Sequence, residues 1–433
     1  MKRHGKPRVF LGLSDICGYY SQLEEGLRAR GVPTTFVNAF PDRPYRRKTR
    51  PDAFGRLVEW LGAKRNAAKR GGLERKGWMA VQALVLPAYG ATALFRYDVF
   101  VFASGQSFLL GRDRRVFQWL GKRVVSVCHG TDSRPPWMSG AFVPADGPLD
   151  LERIAEDTRS TKRFVRALEE TSDAVIQHPL TGQLHERRFL NWFEIGIPSA
   201  ARPEMPTSRR PARDEVVILH APTRPGPKGT AEIERAIASL TAKGHRIRFV
   251  KIVGRPPADV LAALADCDFV VDELYSDTPL AGFAVEAACF GKPAIVGSYG
   301  ADDFATACKT EEPVCLACRP EDIEVAIEKM IVDEELRHRL GRAAHEHVAR
   351  TWSAEAVAAR FERIIADDVP LEWWVEPEEV RHVHGWGLRE ARVVEVLSEL
   401  VTRFGTKVLS IGQKPELEAR IAELGNARAG AER

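Results

Sequence analysis

Between Val216 and Val296 short apolar runs alternate with segments of helical period, and this alternation leaves few folds open. Val216–His220 is a compact apolar run, followed by the loop APTRPGPKGT and an amphipathic segment from about Thr230 to Lys243. Arg248–Val253 is a second strand, ending at Gly254, and Cys267–Val271 a third. ELYSDTPLAGFAVEAACFGKPAIV then runs through loop, helix, glycine stop and strand. The order strand–helix–strand requires parallel pairing, because only a long crossover returns a chain to run beside its predecessor in the same direction. Parallel sheets take ligands outside the carboxyl ends of their strands. Arg224, Lys228, Gly254 and Glu286 all fall at or just after such ends.

Each residue type suits a phosphorylated ligand. Arg224 offers a bidentate fork, Lys228 a point charge, and the helix after Gly229 a partial positive end. Gly282 lets a backbone approach a ligand closely. Glu286, one turn into its helix, has the acceptors to take two vicinal hydroxyls. Gly291 stops that helix and Pro293 starts a buried strand. Taken singly, each charge reads as a solvated surface group. Together, at successive strand ends, they read as one site.

HAPTRPGPKGT, GHRIRFVKIVG, ADCDFVVDE and GFAVEAACFGKPAIV resemble the carboxy-terminal domain of the large retaining family of GT-B glycosyltransferases. DEELRHRLGRAAHEHVARTWSAEAVAARFERI is similar to the closing helices of that domain. The resemblance implies an α/β GT-B fold of two facing Rossmann-like domains, with a nucleotide-sugar donor on the second and an acceptor on the first. It implies no cofactor and no obligatory metal. It places Arg224, Lys228 and Gly229 at the donor diphosphate, Glu286 and Gly282 at the ribose, and Gly254 and Arg255 near the nucleobase. The family often carries a further Glu, against the donor sugar, at the place held here by Thr278 with Asp277 beside it. VDE at Val271–Glu273 resembles a subgroup ending this strand in VDQ that also lacks that Glu. The implied reaction moves a sugar from a nucleoside diphosphate to a glycan, lipid-linked or small-molecule acceptor, with retention. Two alternatives stay open. HAPT followed by Arg also occurs in glycerophosphate-polymer phosphotransferases of the same architecture, and Thr278 leaves room for a non-catalytic scaffold.

The amino-terminal half fits the same plan. Arg8–Leu13 reads as a strand entering LSDICGYY, Ser21–Arg30 as a helix ended by Gly31, and Thr34–Asn38 as a strand. No phosphate-binding glycine triplet follows the first strand, so a nucleotide site is not expected there. Asp98–Ala103 and Ser172–Gln177 are further strands, and Val124–Cys128 runs straight into HGTDSRPP. The resemblance puts a His at this strand end against the donor sugar. His129 is therefore the catalytic candidate, with Asp132 and Arg134 setting its orientation. The plainer reading is a loop His beside an Asx turn from Asp132.

A chain of 433 residues suits two domains, here 1–200 and 215–352, joined by a Pro- and Arg-rich linker at 201–214. Residues 353–433 hold a crossover helix at Ser353–Ile365 and a carboxy-terminal extension. The extension reads as a helix at Arg389–Arg403, a strand at Lys407–Ile411 and a helix at Pro415–Leu424. Trp373, Trp374 and Trp386 read as pins holding it to the body, with stacking on a sugar as the alternative. With 44% apolar and 28% charged residues the chain is globular, and a net charge of +4 makes no case for nucleic acid. The basic charge concentrates at 43–76, where Asp52–Lys69 has the pattern of an amphipathic helix for an anionic membrane surface, or else of a solvated face or a groove for a negatively charged acceptor. Gly77–Phe95, free of charge and of marginal length for a span, reads as a buried helix and loop, with membrane insertion as the alternative. The seven cysteines show no disulfide framework, and the Cys315/Cys318 pair has no matching second pair for zinc. MKRHGK is followed by an apolar run too short for a signal peptide, so a cytoplasmic protein, peripheral at the inner membrane face, is expected.

Overall fold

The computed structural model describes residues 6–41, 50–201, 204, 214–308, 314–412 and 414–431, with backbone only for 305–308 and 425–431. Most of the expected linker at 201–214 and the start of the basic run, 43–49, lie outside the described residues.

The first half is built from strands β1 (Val9–Leu13), β2 (Thr34–Asn38), β3 (Val99–Ala103), β4 (Arg123–Val127), β5 (Ala174–Gln177) and β6 (Phe189–Asn191). Its helices are α1 (Tyr19–Ala29), α2 (Ala53–Ala67), α3 (Leu73–Arg96), α4 (Arg114–Trp119), α5 (Leu151–Thr171) and α6 (Trp192–Ile195). The second half holds β7 (Val216–His220), β8 (Ile247–Lys251), β9 (Phe269–Val271), β10 (Ala294–Gly297) and β11 (Leu316–Cys318). Between and after them run α7 (Thr230–Ala242), α8 (Pro257–Asp266), α9 (Gly282–Cys289), α10 (Ala301–Cys308), α11 (Ile323–Val332) and α12 (Glu334–Thr351). The chain closes with α13 (Ala354–Ala366), the two-residue strand β12 (Trp374–Val375), α14 (Glu390–Phe404) and α15 (Pro415–Ala431).

Two separate parallel sheets result. The first has the order β12-β6-β5-β4-β3-β1-β2, the second β11-β10-β9-β7-β8. Among the described residues only β12 runs antiparallel, pairing Trp374 with Leu190 and Val375 with Phe189. In each sheet the order reverses beside the first strand, so the loops after β1 and β3, and after β7 and β9, diverge and open a crevice. β1 (VFLGL) and β3 (VFVFA) are buried throughout, as the middle strands of a sheet covered on both faces must be.

The halves are joined by helix packing. α13 crosses from the second domain onto α1, so that Val357, Ala358, Phe361 and Ile364 share a core with Tyr20, Leu23 and Leu27. Trp352, fully buried, anchors the crossing by donating its indole N–H to the carbonyl of Phe193 at 3.1 Å. The helices approach closely because Gly26 has no side chain: a Cβ there would lie 2.0 Å from the carbonyl oxygen of Ala354.

Two expectations need correction. Gly77–Phe95 is neither buried nor broken by a loop. It belongs to the 24-residue helix α3, which runs through Pro87, and only 28% of its most apolar window is buried. Tyr89 and Leu86 face the sheet, while Leu84, Met79 and Phe95 face out. Among the described residues α3 is the one helix long and apolar enough, by length and composition, to cross a membrane. The strand expected at Lys407–Ile411 is instead a short 3₁₀ turn, Thr406–Leu409. The extension's actual strand, β12, falls at the paired tryptophans, which pack on the edge of the first sheet.

Substitution at Gly26 tests the crossing. Gly26→Ala is expected to lower stability by about 1–3 kcal/mol, the usual cost of overpacking. Gly77→Ala, at a helical position with nothing within 4 Å of the new Cβ, is expected to be neutral or stabilising. Thermal melts of the two variants decide it; equal midpoints would show that α1 and α13 are free to separate.

Candidate functional site

A cavity of about 480 Å³ lies between the two sheets. The first half contributes Ile16, Cys17, Tyr19, Gln22, Cys128, His129, Gly130, Arg134, His178 and Thr181. The second contributes Asp277, Thr278, Ala281, Gly282, Val285 and Glu286, with Pro257 and Leu261 of α8. The segment Ile197–Ala200, entering the linker, forms one wall. The strand-end loops of two sheets thus face each other across one space.

His129 follows β4 directly. Its Nε2 lies 3.0 Å from the Tyr20 hydroxyl, and the rings of Tyr19 and Tyr20 meet its edge. Burial holds the imidazole pKa down to about 4, against a smaller upward pull from Asp132, so the ring is neutral at physiological pH. Burial keeps the Tyr20 phenol protonated. Asp132 does not touch the His129 ring. Its carboxylate accepts from the His129 backbone N–H at 3.1 and 3.2 Å and from the Ser104 hydroxyl, and it does not line the cavity. It shapes the turn that presents His129, much as the plainer loop reading has it.

Arg134 closes the same turn and reaches across the gap. Its Nε and a terminal guanidinium nitrogen lie 2.7 and 2.6 Å from Asp277, with both side chains buried. Burial pushes the Asp277 carboxyl up, but Arg134 and the nearby His178 and His382 outweigh it and hold it below the ordinary range. His178, the residue after β5, is buried with its own pKa near 3, chiefly from desolvation. Asp277 and Thr278 therefore both line the cavity, with the Asp277 charge already balanced.

On the second sheet, Gly282 opens α9 and faces Cys17 of the first half, with Glu286 one turn further along and half-buried in the wall. The loop after β7 is arranged differently from the sequence expectation. Arg224 is exposed on it, outside the cavity lining. Lys228 is buried, its ammonium 3.0 Å from Asp272 and 2.9 Å from Glu273. Burial alone would depress that ammonium, but the two carboxylates hold its pKa above the usual lysine value. The other oxygen of Asp272 accepts from the backbone N–H of Ala284, in the first turn of α9. Lys228 is thus a post between the β9 end and α9 rather than a free cation. Gly229 is the left-handed residue before α7 and is packed under Leu274, while Gly254 and Arg255 lie exposed, Arg255 paired with Asp259.

The structure therefore gathers His129, Gly282, Glu286, Thr278 and Asp277 round one cavity, and leaves Asp132, Arg224, Lys228, Gly229, Gly254 and Arg255 off its wall. His178 was within reach of the strand-end argument, because it directly follows a strand that the sequence shows. Tyr19, Tyr20 and Gln22 carried no such signal, lying inside an amphipathic helix. Cys315 and Cys318 are thiols whose pKa burial pushes up to about 12, and the Cys308 side chain lies outside the described residues. Among the described residues no group of three His, Cys, Asp or Glu side chains is placed to hold a metal ion.

No family model matches the chain. It is similar to the D-inositol 3-phosphate glycosyltransferase of Corynebacterium glutamicum (strain R), 30% identical over 165 residues, which is 38% of each chain. It is likewise similar to the protein of that name from Corynebacterium diphtheriae, 28% identical over 168 residues, or 38% of this chain and 37% of the relative. The chain thus spans about two fifths of the curated relatives it matches. Among solved structures, the sucrose-phosphate synthase from Thermosynechococcus elongatus superposes with a TM-score of 0.51 at 16% identity, covering 84% of this chain and 99% of that one. The architecture is α/β of the GT-B type, with two Rossmann-like domains facing across a cleft and a helical carboxy-terminal extension.

The buried histidines set a pH dependence. His129 and His220 have pKa values near 4 and His178 near 3, each lowered by burial, against about 6.5 in an unfolded chain. Between pH 6.5 and 4 the unfolded chain takes up protons that the folded one refuses, so stability is intact above pH 6.5 and lost as pH falls through this window. The thermal midpoint is expected to drop by several degrees from pH 7 to pH 5. A midpoint flat over that interval would contradict these burials.

Proposed function

We propose that this protein is a nucleotide-sugar-dependent glycosyltransferase that transfers a sugar to a glycan, lipid-linked or small-molecule acceptor, with retention. One observation carries the reading: His129, just past the end of β4 in the first domain, and Glu286, one turn into α9 of the second, line a single interdomain cavity. The similarity to the corynebacterial D-inositol 3-phosphate glycosyltransferases supports it and favours a nucleotide-sugar donor over a phosphoglycerol donor. In this reading Glu286 takes the ribose hydroxyls and the amino end of α9 receives the phosphates, with Arg224 closing over them. Gly254 and Arg255 stand toward the base, and Asp277 and Thr278 toward the sugar. His129, neutral and with Nε2 engaged by Tyr20, offers its other ring nitrogen to a sugar hydroxyl, orienting the donor and supporting charge that develops at the anomeric carbon. The leaving phosphate can take the acceptor proton in a front-face displacement, so the scheme calls on no protein base, metal or cofactor.

Substitutions separate these roles. His129→Ala is expected to lower kcat at least a hundredfold while changing nucleoside diphosphate affinity little, and Glu286→Gln to weaken that affinity about tenfold. Arg224→Ala is expected to weaken binding without moving the ligand-free melting midpoint. Lys228→Ala is expected to lower that midpoint as well, since it strands two buried carboxylates at a cost of about 3–5 kcal/mol. Calorimetry with UDP, GDP, ADP and dTDP, beside a turnover assay with their sugars, reads all four variants. A wild-type chain that binds none of them and turns over none of their sugars is a scaffold, and the proposal fails.

The second element of the proposal is peripheral attachment to an anionic membrane surface at the cytoplasmic face. Its support is the outer side of the α2–α3–α4 layer, whose inner side shares the core of Phe10, Tyr89, Phe108 and Phe117. Leu57, Trp60, Met79 and Leu84 are exposed there, as are Leu110, Trp119 and Leu120 before, on and just after α4. Arg56, Lys64, Lys69, Arg70, Arg75 and Lys76 lie among or beside the first group, and the Lys64 ammonium sits over the Trp60 ring. Exposed aromatics beside a basic stripe suit the headgroup region of an anionic bilayer. Co-sedimentation with vesicles containing phosphatidylglycerol is expected at low salt, with loss in high salt and with neutral vesicles. Salt-resistant binding to neutral vesicles would point to insertion of α3, and no binding to either would end the membrane reading.

A further inference from the structure

The carboxy-terminal extension does more than lie on the first domain. Val383, Leu388, Val393, Val396 and Leu397 share a core with Trp137, Met138 and Ile154 of the first half. From that base the segment His382–Arg389 reaches across to the second domain. The backbone N–H of Trp386 donates to the Met138 carbonyl at 3.0 Å, and the next N–H, of Gly387, donates to Tyr275 at 2.9 Å, so adjacent residues hold opposite domains. Gly387 is left-handed and lies so close to Pro227 that a Cβ would come within 2.8 Å. The Trp386 indole N–H donates to Glu273 at 2.8 Å, and the Arg134 guanidinium sits over its ring, 5.1 Å from the centroid.

These contacts join into one chain of side chains. Asp277 binds Arg134, Arg134 stacks on Trp386, Trp386 binds Glu273, Glu273 binds Lys228, and Lys228 binds Asp272, which holds the first turn of α9. Both ends of the chain are in or against the cavity wall. We propose that Trp386 is a positioning residue that registers the Arg134 wall of the cavity against the Asp272–Ala284 wall, so that the carboxy-terminal strap completes a binding site otherwise formed by the two domains. Trp386 does not line the cavity; it acts through Arg134 and Glu273. Its effect on nucleotide binding rests on the function proposed above, whereas its effect on the cavity walls does not.

Hydrogen–deuterium exchange on the ligand-free full chain tests this, comparing wild type, Trp386→Phe and Trp386→Ala. The phenyl ring keeps a face for Arg134 but has no N–H for Glu273. Exchange across residues 272–284 is expected to quicken about tenfold in the Ala variant and by less in the Phe variant, with α14 unchanged. A purely structural tryptophan would loosen α14 and its core first. Exchange at 272–284 that stays at the wild-type rate, or that quickens only together with α14, overturns the proposal. If the Ala variant does not fold, the Phe variant decides by the same criterion. Affinity for whichever of UDP, GDP, ADP or dTDP the wild type binds is expected to fall about tenfold in the Ala variant. A wild type that binds none of them removes the function proposed above and leaves the exchange result standing.

Discussion

Burying a charge between two domains is tolerable only when its partner is buried with it, and the Arg134–Asp277 pair imposes that condition on the cleft. Each group alone would cost several kcal/mol of lost hydration, and their attraction offsets this only while the geometry holds. The two halves are consequently not free to settle at any separation. The turn after β4, which presents His129, and the turn after β9, which leads to α9, are fixed to each other through one short contact.

That constraint explains why several charged residues carry structure as well as chemistry. Lys228 looks from the chain alone like a cation waiting for phosphate, yet in the fold it neutralises Asp272 and Glu273. Asp132 looks like the orienting partner of a catalytic imidazole, yet it organises the backbone beneath it. In both cases the sequence position at a strand end is informative, because strand ends are where the backbone must turn and where polar groups must be satisfied. The same demand serves turn-building and ligand-binding residues alike, so position alone cannot divide them.

Much of the architecture was legible. The limits expected for the strands at Thr34–Asn38 and Val216–His220 are those observed, because apolar, β-branched runs bounded by turn residues have few alternatives. The exposure of α3 is not legible, because an uncharged stretch suggests burial and composition does not say which side of a helix meets the sheet. At Lys407–Ile411 five residues are too few to separate periods of two and three, so a 3₁₀ turn reads there as a strand. The bond from Trp386 to Glu273 spans 113 positions, and β12 is two residues long, so neither leaves a periodic trace. What escaped the sequence is what depends on distant segments meeting.

The pairing of β12 with β6 also bears on how the chain is made. The first sheet takes its edge strand from residues 374–375, and the core under Trp137 takes much of its substance from 383–417, so the amino-terminal domain cannot finish folding until those residues have left the ribosome. The second sheet, complete at Cys318, is available well before. During synthesis the order of completion is therefore the reverse of the order of translation. The β6 edge waits open in the meantime, as a template for any stray strand.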